Sequence, residues 1–116
     1  MPANQSAKSF SQDLGVNVTM AVTAADLGGH TWDHVGLEVP THTSGGTIYI
    51  NASATLAGTF HRIHVIDPAD GAPNVVQILQ ANGGQYQLPM GVPYQFLKVE
   101  NTSGVTAGAT FKFHVS

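Results

Sequence analysis

Thr110-Phe111-Lys112-Phe113-His114-Val115 alternates apolar and polar side chains at every step. A period of two places Phe111, Phe113 and Val115 on one face of a β-strand, with Lys112 and His114 on the other. The closing strand therefore buries two phenyl rings and turns its charges outward. Val16-Asn17-Val18-Thr19-Met20-Ala21-Val22 carries the same alternation and reads as a second strand. Between these ends, further apolar stretches run from His34 to Val39, Thr47 to Asn51, Phe60 to Ile66, Val75 to Leu79, Gln85 to Leu88 and Tyr94 to Glu100. Gly28-Gly29, Gly45-Gly46 and Gly83-Gly84, with Pro40, Pro68, Pro73, Pro89 and Pro93, separate them. β-Branched residues dominate the apolar positions and glycine breaks each window of helical length, so strands are favoured over helices. Only Thr23 to Leu27 is short and permissive enough for a single helical turn. Short strands with regular turn signals predict an all-β protein. The expected architecture is a single antiparallel β-sandwich of about eight strands, jelly-roll-like in closure.

The chain is 116 residues long, 42% hydrophobic and 9% charged, which suits one domain with a real core. Residues 1–15 hold few large apolar groups beyond Phe10 and Leu14 and read as an extended N-terminal arm; residues 16–116 form the sandwich domain. Cysteine is absent, which excludes disulfides, thiolate metal sites and thiol nucleophiles. No apolar run reaches the roughly 20 residues of a membrane span, and the polar start lacks a signal-peptide pattern, so no membrane partner is expected. Lys8, Arg62, Lys98 and Lys112 are too few and too scattered to neutralise a phosphate backbone, so nucleic acid is not expected as a partner either. A surface made from Thr, Ser, Asn, Gln and Gly costs little to desolvate and suits packing against protein neighbours.

The residues that carry chemistry elsewhere have bland explanations here. The six histidines are His30, His34, His42, His61, His64 and His114. His61 and His64 have opposite strand parity, and no third ligand is in view, so neither a metal nor a cofactor is expected. The histidines could instead change the surface charge between about pH 5 and 7. Asp67 and Asp70 lie in Asp67-Pro68-Ala69-Asp70-Gly71, where an aspartate side chain satisfies the backbone of its own turn. Asp33 and Glu38 differ in parity, and the chain contains no Gly-x-Ser-x-Gly elbow or phosphate-binding glycine loop. No catalytic residue is assigned. Trp32, in Gly28-Gly29-His30-Thr31-Trp32-Asp33-His34, is a candidate stacking platform for a carbohydrate- or receptor-binding module, or a plug for one end of the sandwich.

The segment from Tyr94 to Ser116 pairs Phe96-Leu97-Lys98-Val99 with a Gly/Thr-rich turn and the closing strand. With the polar arm and sparse charge, this ending resembles small head-stabilising proteins of tailed bacteriophages, in which a terminal hairpin closes a compact β-domain. The resemblance implies a non-enzymatic capsid decoration or cement protein. Such a protein is made in the host cytoplasm and sits on the virion surface as a homotrimer bound to the major capsid protein. Phe10, Leu14 and Trp32 are the expected partner-binding residues. A carbohydrate- or receptor-binding β-sandwich module of a phage tail or of a polysaccharide-acting protein is the alternative, and a cupin-like or lyase-like enzyme is disfavoured by the missing ligand spacing.

Overall fold

Phe111 and Phe113 are completely buried at the centre of one apolar cluster that also holds Leu37, Ile48, Ile50, Leu97 and Val99. The alternation that opens the sequence is thus a strand with its phenyl rings inside. The structure is a computed structural model, described over residues 7–15, 18–28, 32–41, 47–78, 83–88, 95–102 and 109–116. Among the described residues there are eleven strands and no helix. They are β1 (Lys8–Leu14), β2 (Ala25–Asp26), β3 (Val35–Val39), β4 (Ile48–Ser53), β5 (His61–Arg62), β6 (His64–Ile66), β7 (Pro73–Val75), β8 (Gln77–Ile78), β9 (Gly84–Gln87), β10 (Phe96–Asn101) and β11 (Ala109–Val115).

One sheet has the order β1-β11-β3-β9; the other has the order β2-β10-β4-β5, with β8 also on β4. Every pairing is antiparallel. Successive strands cross from one sheet to the other: β1, β3, β9 and β11 lie in the first, and β2, β4, β5, β8 and β10 in the second. That alternation between two antiparallel sheets is the jelly roll anticipated from the strand spacing. Inward residues of both sheets interleave into the single core, while outward ones are mostly polar, with Tyr49 and Phe96 the aromatic exceptions on the second sheet.

The strand from Phe60 to Ile66 is broken rather than continuous. His61 and Arg62 sit opposite Ala52 and Asn51, the Ile63 amide donates to the Ile50 carbonyl at 3.0 Å, and Gln77 and Ile78 then take up positions opposite Tyr49 and Ile48. β5, Ile63 and β8 therefore occupy one edge position beside β4 in uninterrupted register, and residues 64–76 leave it as an extruded ribbon. Counted this way the two sheets have eight positions, and the ribbon β6-β7 stands outside them.

Four expectations change. Residues 8–14, anticipated as part of an arm, form β1, paired along its whole length with β11 from Lys8–Val115 to Leu14–Ala109. The reason is the inward face of Phe10, Gln12 and Leu14, which completes the core; residues 1–6 lie outside the described residues. Of the strand anticipated from Val16 to Val22, Val16 and Asn17 lie outside the described residues and the rest is reduced to a bridge between Met20 and Glu100, flanked by Asn101 N–H to Thr19 O at 2.7 Å and Ala21 N–H to Val99 O at 3.0 Å. Here Ala21 is buried and Val22 is 81% exposed, the reverse of the expected faces. The cause is Gln12, whose buried amide donates to Thr23 O at 2.9 Å and accepts the Val99 amide at 3.2 Å, so a side chain ties the two sheets where a strand was expected. The region from Thr23 to Leu27 contains β2 and no helical turn. Finally, β10 and β11 do not form a terminal hairpin, because they belong to different sheets.

Candidate functional site

Of the anticipated partner-binding residues, two are in the interior. Leu14 is 1% exposed, and Trp32 is buried with its Nε1–H donating to the Leu27 carbonyl at 2.9 Å. A tryptophan held in this way plugs the sandwich and offers no face for stacking on a sugar ring. Phe10 is half-buried and packs against the core. Leu14 and Trp32 offer no free docking surface, and Phe10 spends part of its ring on the core.

Two of the four exposed large apolar groups among the described residues are on the ribbon, and the other two, Val22 and Leu56, stand singly elsewhere. Val65 is 40% exposed and Ile66 59%, and β6-β7 stands clear of both sheets. Its shape is fixed from both ends. At the base the Val76 amide donates to Ile63 O at 2.8 Å; at the tip the Asp67 amide donates to Ala72 O at 2.8 Å and Gly71 N–H to Asp67 O at 2.7 Å. Asp67 Oδ1 accepts the Ala69 amide and Asp70 Oδ1 the Ala72 amide, at 2.8 and 2.9 Å, which is the turn role read from the sequence. Gly71 has φ of +72°, a conformation that glycine adopts without strain. His64, at the ribbon's base, is exposed, and its Nδ1 contacts the Arg62 carbonyl at 3.0 Å.

The outer face of the first sheet holds a second cluster. Its register aligns Ser9, His114, Gly36 and Gln87 in one row across β1, β11, β3 and β9, and Ser11, Lys112, Glu38 and Gln85 in the next. Ser9 Oγ is 2.7 Å from His114 Nδ1, and His114 Nε2 is 2.9 Å from Glu38 Oε1. Gln85 Nε2 also donates to Glu38 at 3.2 Å. The hydrogen bonds from His114 and then Gln85 hold the Glu38 carboxyl below its ordinary range. Gln87 Nε2 lies 3.2 Å from His34 Nδ1. Where Gly36 leaves the row without a side chain there is a hollow of about 280 Å³, bordered by Ser9, His34, Gln87 and His114, with Lys8 and Val115 at its sides.

Serine, imidazole and carboxylate in line suggest acyl transfer, yet the geometry differs from a working triad. The serine sits on Nδ1 and the carboxylate on Nε2, the reverse of the usual assignment. Strand amides lie in the plane of the sheet, so none faces Ser9 Oγ to stabilise an oxyanion. The line is a cross-strand network that orients His114. No group of three or more side chains able to hold a metal is found among the described residues; His30 and His42 lie outside them.

The opposite outer face is closed on itself. Arg62 forms a two-pronged pair with Glu100, Nε at 3.0 Å from Oε1 and Nη2 at 2.8 Å from Oε2, while its guanidinium lies 3.8 Å from the centre of the Tyr49 ring. Asn51 Nδ2 donates to the same carboxylate at 2.9 Å, and Lys98 covers the Phe60 ring at 4.6 Å. The Arg62 bond, opposed by partial burial and reinforced by Asn51, keeps Glu100 below the ordinary carboxylate range.

Register is what sequence reading missed here. Ser9, Glu38 and His114 are brought together only by the pairing of β1, β11 and β3, and no local pattern joins them. The one local signal was a glycine inside Val35-Gly36-Leu37-Glu38-Val39. Comparisons with protein-family profiles, curated proteins and solved structures find no match for this chain. Among the described residues no helix is long and apolar enough to cross a membrane.

Proposed function

We propose that the protein is a non-enzymatic component of a phage particle that docks on the outside of the expanded capsid and bridges major capsid protein subunits, as a homotrimer. The observation that carries the reading is the β6-β7 ribbon, a pre-shaped projection that places the consecutive Val65 and Ile66, two of the four exposed large apolar residues among those described, in solvent. A contact already held in its bound shape loses little conformational freedom on docking. The tip carries Asp67 and Asp70, and residues 64–76 include no Lys or Arg. The surface it fits is therefore an apolar cleft with basic residues at its rim. The jelly roll itself is an architecture used by capsid and lectin domains, which supports the reading by analogy. Bridging several subunits multiplies modest contacts, because each contact after the first is effectively intramolecular.

The test is cosedimentation with DNA-free expanded heads of the phage that encodes the protein. Deleting residues 64–76 joins Ile63 to Gln77, which already face successive residues of β4, so the edge strand closes without a linker. The reading expects wild-type protein to sediment with the heads and the deletion variant, still folded, to stay in the supernatant. Equal sedimentation of both would remove the ribbon from the account. Absence of wild-type binding would remove the capsid.

A further inference from the structure

Gly36 is the residue of β3 that the fold itself does not explain. Its φ is not in the left-handed region, so the backbone does not demand glycine. A Cβ built there would meet Tyr86 O at 3.4 Å and His114 O at 3.9 Å, ordinary contacts, so crowding inside the chain does not demand it either. Glycine weakens a strand interior, and where local sterics do not require it the remaining reason is close approach by something outside. What lies outside is the hollow between His114 and Gln87.

We propose that this hollow binds one neutral, hydroxyl-rich ring, a single sugar residue. Its size, about 280 Å³, is at the small end of ligand clefts, which start at about 300 Å³, and suits one ring rather than a chain. Its polar groups are mixed in kind. With Glu38 accepting from His114 Nε2–H, Nδ1 accepts from the Ser9 hydroxyl, and the lone pairs of Ser9 remain available. With Gln87 Nε2 donating to His34 Nδ1, His34 Nε2–H and the Gln87 carbonyl oxygen remain as a donor and an acceptor. Sugar hydroxyls both donate and accept, so they match such a set; an anion matches only donors. Lys8 borders the hollow and Glu38 lies one row away on the same face beside Lys112, so a phosphate titration separates a neutral ring from an anion. The imidazole of His34 supplies apolar surface for the ring's C–H face. The site is independent of the capsid reading, because the ribbon leaves the second sheet and the hollow is on the first.

The experiment follows backbone amide NMR signals of the intact protein during titration with the methyl glycosides of glucose, galactose, mannose and N-acetylglucosamine, and separately with inorganic phosphate. The proposal expects at least one glycoside to shift the Gly36, Gln87 and His114 signals with millimolar affinity. Gly36→Ala places a methyl on the floor of the hollow and should weaken that binding by at least about tenfold while its unfolding midpoint stays at or above wild type. Gln87→Leu, which keeps the volume and removes the acceptor, should weaken it likewise. No response to any glycoside, a response to phosphate alone, or folded variants that bind as tightly as wild type would overturn it.

Discussion

The sandwich and its ribbon follow opposite rules. In the body, the apolar residues that face between the sheets are covered, with Val22 and Leu56 left outside them, and even an interior amide is matched: Gln12, 1% exposed, donates to Thr23 O and accepts from Val99 N–H. In the ribbon, the backbone is secured by turns and bonds at both ends while Val65 and Ile66 remain in water. A segment that contributes shape without burying its own apolar groups adds little to folding stability. The difference separates the part of the chain that holds the fold from the part free to meet a partner.

The contrast breaks most severely in the core. Phe113→Ala leaves a cavity between the sheets and should cost about 3–5 kcal/mol in urea unfolding, and a loss below about 1 kcal/mol would mean that the core is not packed as described. Gln12→Ala strands the Val99 amide and Thr23 carbonyl, each worth about 1–3 kcal/mol when left unsatisfied. It should be the next most damaging change, and a neutral result would show that the amide does not join the sheets.

The acid response sharpens the contrast on the closed outer face. Glu100 binds its proton more weakly in the folded chain than in the unfolded one, where its ordinary value is 4.5. Its contribution is thus fully present above that value and is lost as the pH falls through the lower folded-state value. Unfolding midpoints measured down through this range should fall in wild type and fall less steeply in Glu100→Gln; parallel curves would contradict the pairing with Arg62. Smallest of all, Val65→Ser with Ile66→Ser should change stability by no more than about 0.5 kcal/mol. A larger loss would place the ribbon's side chains against the body.

Period-two alternation in β11, together with the glycine and proline spacing, was enough to read an all-β sandwich, because burial of one strand face writes itself into sequence; the strand order was not legible. The same logic misled from Val18 to Val22, where Gln12 reaches in and Val22 turns outward although Val18 packs against the core. It also misled at β1, whose polar composition suggested an arm although three inward positions complete the core. Phe60–Ile66 reads locally as one strand; its interruption at Ile63 depends on which residues of β4 face it, and that is long-range information. The aspartate turn at the ribbon tip was legible because its bonds are local.

The division between a stabilising body and a docking ribbon is tested most directly by measuring one variant in two ways. Val65→Ser with Ile66→Ser is compared with wild type for its urea midpoint and for its affinity toward expanded heads. The account predicts matching midpoints and a loss of affinity of about tenfold or more, as expected for truncating central apolar anchors. Affinity retained at an unchanged midpoint, or a midpoint lowered together with affinity, would contradict it.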